Sequence, residues 1–328
     1  MRRSTIAAWL IYSALTICAL AQDQPPEKPI KPAHTRLQVS VSIPPQAQLV
    51  ERIAGEYAQV NVIVQPGQGP HTYEPSPRQI MEICQSDLLF YIGGMPFESR
   101  LIGKLRDAAP DGAGPRIVHV GQGAGGDAED AVQHEAHDHE VHQHAEDHHH
   151  DETVEDPHIW LGPPQLKIIA ENTAQALIDV DPAHAPQYRE NLRALLDEIE
   201  ALHAECQRDL APFNGRRVYV YHPAFGCFLS AYGLQQEAVE LEGRQPTPRR
   251  LLELTKQARR DGVKVIFVQP QFDPKSAEIL ARGIDGRIVA LDPLARDVLG
   301  NLRRMSAAIR DAMIEAPGAE TASPSSLQ

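Results

Sequence analysis

Three histidines stand in turns whose residue types could hold a metal ion. They are His71 in Pro70-His71-Thr72-Tyr73, His158 in Asp156-Pro157-His158-Ile159-Trp160, and His222 in Tyr221-His222-Pro223. A fourth turn, Leu291-Asp292-Pro293, offers a carboxylate. Neutral imidazole is the commonest metal ligand among side chains. Three imidazoles and one carboxylate make an N3O set suited to tetrahedral Zn2+. Any one of these histidines, taken alone, is an ordinary surface or hydrogen-bonded residue. Their joint placement carries the argument.

A second group of histidines has a different character. His134, His137, His139, His142, His144, His148, His149 and His150 place eight of the fifteen histidines in seventeen positions. The spacing is irregular, and Asp127 to Asp156 holds twelve carboxylates with no Lys or Arg. Such a tract reads as a set of secondary, weak metal sites. His158 differs, since it lies between Pro157 and an apolar pair and reads as ordered.

Elements must bring the four turns together. Leu37 to Ile43 alternates with period two and reads as a strand, and a helix follows to Tyr57. Val60–Val64, Asp87–Tyr91 and Ile117–Val120 read as further strands. Ser76-Pro77 is a helix start with Pro at the first helical position. After Trp160 a helix runs to Ile178. Then Tyr188, Leu192, Leu195, Ile199, Leu202 and Cys206 form one apolar stripe on a helix of about 25 residues, roughly 37 Å long. Beyond it, Val218–Tyr221, Val263–Val268 and Arg287–Leu291 read as strands, alternating with helices over Thr247–Arg260, Pro274–Gly283 and Ala295–Ile314. Val263–Val268 is nearly all apolar, as a strand buried on both faces requires.

Alternating strands and helices predict an α/β fold. The pattern occurs twice, so the expectation is two lobes. Each is a mostly parallel sheet flanked by helices, and one long rigid helix joins them. Ligands bind beyond the carboxyl ends of parallel strands. His71 and His158 belong to the first half, His222 and Asp292 to the second. They can meet only in a cleft between lobes. The expected boundaries are a first lobe at 36–182 carrying the acidic His-rich loop at about 121–153, a connecting helix at 183–213, a second lobe at 214–315, and a disordered tail at 316–328.

The chain has 328 residues and a formal charge of −13, nearly all of it in the tract. The near-neutral remainder argues against a nucleic-acid partner, whereas an acidic, His-rich segment attracts cations. Arg2 and Arg3, an apolar run from Ile6 to Leu20, and Ala19-Leu20-Ala21 read as a signal peptide over residues 1–21. A flexible, Pro-rich linker over 22–35 follows. The implied compartment is the periplasm. A lipid anchor at Cys18 and an uncleaved membrane anchor are the weaker readings, the first because Ile17 is bulky where that processing prefers a small residue. Cys84, Cys206 and Cys227 remain after cleavage. Three is odd, which leaves either one bridge or three free thiols.

With these residues in view, the sequence resembles the metal-specific substrate-binding proteins of ABC transporters, and among them the high-affinity zinc uptake proteins. The likeness runs from about residue 37 to 313. It is carried by His71 through Pro77, Asp156 through Leu161, His222-Pro223-Ala224-Phe225, Glu242-Gly243 with Pro246-Thr247-Pro248, Pro270-Gln271-Phe272, and Leu291-Asp292-Pro293-Leu294. The resemblance implies His71, His158 and His222 as ligands. It implies Asp292 where many members use an aspartate, a place that zinc members often leave to water or another carboxylate. Two departures are visible. Pro70 stands where some zinc members carry a glutamate, and Gln269 stands where a glutamate is common. Gln269 is read as a neutral supporting group, and Glu74 as a carboxylate that orients His71.

The implied function is a zinc-binding receptor, not an enzyme. It would capture Zn2+ as transported cargo and deliver it to a cognate ABC permease and its ATPase, acting as a monomer. Three readings compete with it. A manganese receptor would prefer more carboxylate oxygen than this set offers. A zinc hydrolase also uses three histidines with an open position, but H-E-x-x-H is absent. A metal buffer acting through the tract alone gives no reason for ligand turns in both halves.

Overall fold

Residues 36–108, 114–125, 156–240 and 244–316 are described in a computed structural model of the chain. The first lobe contains β1 (Leu37–Val41), α1 (Pro44–Ala54), β2 (Ala58–Val62), α2 (Pro77–Cys84), β3 (Leu88–Tyr91), α3 (Pro96–Ala108) and β4 (Arg116–His119). Two long helices follow, α4 (Pro163–Val180) and α5 (Ala185–Leu210). The second lobe contains β5 (Arg217–Val220), α6 (Gly226–Ser230), β6 (Gln235–Ala238), α7 (Pro248–Arg260), β7 (Val265–Val268), α8 (Lys275–Gly283) and β8 (Arg287–Ala290). The last helix described is α9 (Val298–Glu315).

Both sheets are parallel throughout and share one topology. The first has the order β2-β1-β3-β4 and the second β6-β5-β7-β8. All four residues of β7 are buried, as its apolar run predicts. Local chemistry sets the helix starts. Ser76 Oγ accepts from Gln79 N at 3.3 Å to cap α2, and Thr247 Oγ1 accepts from Arg250 N at 3.3 Å to cap α7. Asp292 does not cap the last helix. That role falls to Asp297, whose Oδ1 accepts from Gly300 N at 3.0 Å.

The long helix is α5, 26 residues and about 39 Å. Its stripe is buried as predicted at Tyr188, Leu195, Ile199, Leu202 and Cys206. Its polar flank pairs with both ends of the molecule. Glu198 meets Arg52 of α1 and Glu200 meets Lys167 of α4, whereas Glu205 meets Arg303 and Asp209 meets Arg310 of α9. A second tie was not foreseen. The start of α9 reaches the first lobe, where Gln48 of α1 donates to Asp297 Oδ1 at 3.0 Å and accepts from Leu299 N at 3.3 Å. One continuous core runs from Val39 and Phe90 through α5 to Phe225, Leu294 and Met305. A smaller core lies around Tyr219, Leu254, Ile266 and Leu280.

Several expectations are adjusted. Helix α3, the short α6 and strand β6 were not anticipated, because their apolar patterns are brief. The acidic loop does not begin at Gly121. Residues 121–125 form a turn in which Ala124 is buried, and Asn172 Nδ2 donates to Val120 O at 2.9 Å and Gln122 O at 3.0 Å. The eight tract histidines, the signal segment, the linker, His34 and the tail after Ala316 lie outside the described residues. Cys84, Cys206 and Cys227 are all free thiols. His184 and His203 are half-buried. His184 stacks on Tyr57 and pairs with Asp181, and His203 pairs with the Tyr232 hydroxyl.

Candidate metal centre

Three loops carry histidines into the space between the sheets. His71 sits in a 3-10 turn, Pro70–Thr72, beyond β2. Tyr73 anchors that turn. Its hydroxyl donates to Ile63 O at 2.8 Å and accepts from Gln79 Nε2 at 2.6 Å, and its ring meets Phe97 edge-on. His158 immediately precedes the 3-10 turn Ile159–Leu161 that leads into α4. Trp160 of that turn is buried and donates from Nε1 to Pro293 O at 2.7 Å, which ties the His158 turn to the second lobe. His222 follows β5. Gln269, which follows β7, grips its backbone: His222 N donates to Gln269 Oε1 at 3.1 Å, and Gln269 Nε2 donates to His222 O at 2.7 Å. Only an uncharged amide both gives and accepts in this way.

The three rings converge through Nε2. His71 Nε2 lies 3.4 Å from His158 Nε2 and 3.1 Å from His222 Nε2. With Zn–N bonds of about 2.0–2.1 Å, two nitrogens at tetrahedral corners lie about 3.3–3.4 Å apart. The observed spacings are close to that geometry. Among the described residues, these three histidines are the one group of His, Cys, Asp and Glu whose donor atoms lie close enough to share an ion.

Carboxylates fix two of the rings from behind. His158 Nδ1 donates to Asp156 Oδ1 at 2.7 Å, and His222 Nδ1 donates to Glu240 Oε1 at 2.6 Å. An ionised carboxylate only accepts, so each Nδ1 keeps its proton and each Nε2 presents a lone pair. Glu240 is only 3% exposed and is committed to this contact. Asp156 also accepts from His158 N at 3.0 Å, and its other oxygen accepts from Cys227 N in α6 at 3.3 Å. One carboxylate thus orients a ring of the first lobe while holding the second.

Electrostatics favour neutral rings. Burial lowers His71 to about 4, and neighbouring His158 and His222 push the same way against Asp156. Burial also lowers His158, although its bond to Asp156 opposes the shift. Burial works to raise Asp156, but its hydrogen bonds from His158 and Cys227 leave it below the usual carboxylate range. Donor nitrogens turned toward one another, with His71 and His158 both disfavouring a proton, make a strong site for a cation. The adjoining cavity measures about 20 Å3, room for a body the size of one water and not for an organic substrate.

The other expected donors lie elsewhere. Asp292 is not drawn into the histidine group. Its Oδ1 accepts from Gln271 Nε2 at 2.8 Å and from Leu294 N at 3.0 Å. Glu74 is exposed and makes no hydrogen bond to His71, because the extended chain after the 3-10 turn points it to water. His119 stays apart, bonding to Ile92 O and stacking on Tyr91. Two partners went unrecognised in the sequence. Asp156 could have been found from its spacing, two residues before His158. Glu240 lies eighteen residues beyond His222, and only the β5–β6 pairing brings it close.

Two α/β lobes with three imidazoles converging between them fit a metal-binding receptor of the ABC-transport type. Residues 39–317 match the family described as zinc-uptake complex component A, periplasmic (ZnuA), and the chain belongs to that family. Its members are binding proteins rather than enzymes. A solved structure of ZnuA is 32% identical, covering 85% of this chain and 99% of its own, with a TM-score of 0.73. The high-affinity zinc uptake system protein ZnuA of Brucella abortus (strain 2308) is 28% identical, over 81% of this chain and 86% of its own. A relative from Chlamydia muridarum is 31% identical over 84% of this chain and 92% of its own, and its description goes no further than metal binding.

Proposed function

We propose that this protein is a periplasmic zinc receptor that takes up Zn2+ between its lobes and delivers it, as a monomer, to an ABC permease driven by its ATPase. His71, His158 and His222 are the ligands in this reading, and the tract histidines form secondary sites. The observation that carries it is the meeting of three imidazoles, with His71 Nε2 3.4 Å from His158 Nε2 and 3.1 Å from His222 Nε2, close to tetrahedral spacing. Three nitrogen donors without a carboxylate suit Zn2+ better than Mn2+. A ZnuA carrying an internal deletion, described with zinc bound, is 32% identical to this chain and supports the choice of metal. Family membership supports delivery to a permease.

The test is metal analysis of protein purified without added metal, followed by competition against a chelator. We expect one tightly held zinc per chain. Replacing His71, His158 or His222 by Ala should weaken it by more than the roughly 10–100-fold that a lost supporting partner costs. Tight zinc in any of these variants, with the tract removed, would exclude that residue from the site. Preferential binding of Mn2+ would replace zinc with manganese as the cargo.

A further inference from the structure

The cleft wall formed by the second lobe carries a polar group that the three histidines do not explain. Gln271 lines the cavity beside them. Its Nε2 donates to Asp292 Oδ1 at 2.8 Å. Its Oε1 is buried and has no hydrogen-bond partner among the described residues. A buried acceptor left unpaired is costly, and its persistence calls for a reason.

The direction of this amide is fixed by chemistry. A carboxylate only accepts, so the Gln271 NH2 group must face Asp292, since the reverse orientation would set oxygen against oxygen. Asp292 is itself immobilised. Its Oδ1 also accepts from Leu294 N at 3.0 Å, and its backbone oxygen accepts from Asn301 Nδ2 at 2.7 Å. With Nε2 held there, Oε1 is turned away from Asp292, in a side chain that borders the histidine group.

We propose that Gln271 presents its amide oxygen to the fourth coordination position of the metal, and that Asp292 is a positioning residue that aims it. The proposal rests on the reading that His71, His158 and His222 hold the metal. It gives Asp292 a function at the site without placing its carboxylate in the shell. A neutral oxygen leaves the loaded site's double positive charge intact. The ion is then held less firmly than a carboxylate would hold it, which suits a cargo that must be released.

The test is a double-mutant cycle read by zinc affinity in chelator competition, with the visible spectrum of Co2+-loaded protein as a second readout. Gln271→Ala should weaken zinc by at least about 10-fold, the lower end for a lost supporting group, though by less than a lost histidine because water can replace a neutral oxygen, and should change the cobalt spectrum. Asp292→Ala should weaken zinc comparably. The double variant should be no weaker than Gln271→Ala alone, because Asp292 acts through Gln271. Asp292→Asn keeps an acceptor for Gln271 Nε2 and should retain most of the affinity. Urea denaturation of each metal-free variant separates a folding defect from a site defect. Unchanged affinity and spectrum in Gln271→Ala would overturn the proposal. So would a full further loss on adding Asp292→Ala, which would make Asp292 a ligand in its own right. Tight zinc in the histidine variants would instead overturn the underlying site.

Discussion

Asp156 and Glu240 decide what the histidines can do. Each holds an Nδ1 proton and so directs a lone pair from Nε2 into the cleft. Burial disfavours the charged form of His71 and of His158. This has a consequence for stability. An unfolded histidine titrates near 6.5, whereas folded His71 titrates at about 4. Between those values the unfolded chain takes up a proton that the folded chain refuses. Stability of the metal-free protein should therefore fall as pH drops from about 6.5 to about 4. Urea denaturation at pH 7 and pH 4.5 checks this, and His71→Ala should lose less over the same interval. An equal loss in both proteins would mean that His71 does not titrate differently on folding.

At the scale of elements, short turns do the positioning and their neighbours hold the turns. The contact between the Asp156 segment and the start of α6 is one of these. A Cβ added at Gly226 would lie 2.5 Å from Asp156 Oδ2. That carboxylate is held at both oxygens, by His158 and by Cys227 N, so it has little freedom to yield. Gly226→Ala should displace Asp156, release the His158 ring and weaken zinc by about 10–100-fold. The overpacking should also destabilise the metal-free fold by about 1–3 kcal/mol. Chelator competition beside urea denaturation measures both effects. Native zinc affinity in this variant would show that His158 does not need Asp156. Trp160 belongs to the same scale, since its bond to Pro293 O links the His158 turn to the turn that contains Asp292.

At the scale of the whole molecule, the two sheets share one core and are tied twice, by α5 and by the return of α9 to α1. No helix among the described residues is long and apolar enough to cross a membrane. The cleft geometry rests on packed elements, so it should not depend on the acidic tract. Deleting residues 126–153, which spares the turn at 121–125 pinned by Asn172, should leave one tight zinc site and remove several weak ones. The tract sequence has no apolar face to bury, and ordering it around an ion costs conformational entropy. Calorimetric titration of the deletion variant decides the matter. Loss of the tight site from a folded variant would place the tract in the primary site. The tract's negative charge should still speed zinc loading at low ionic strength.

The sequence by itself determined the layout. Apolar runs and alternation marked seven of the eight strands among the described residues, β2 two residues late, Ser76 and Thr247 marked two helix starts, and the stripe from Tyr188 to Cys206 marked α5. His71, His158 and His222 were legible because a histidine in a Pro-rich turn at a strand or helix end is a local pattern. Strand β6 was not legible, since Gln235-Gln236-Glu237-Ala238 has no apolar alternation and is held by pairing with β5. Tertiary structure decided the carboxylate behind His222, whereas the one behind His158 is local in the chain. Sequence placed Glu74 behind His71 and Asp292 on the metal, but Glu74 is exposed to solvent, and Asp292 is occupied by Gln271 and Leu294. Glu240 enters instead because parallel pairing sets the end of β6 beside the end of β5. A donor's type is written in its residue, but its direction depends on hydrogen bonds to residues far along the chain, and these exist only after folding.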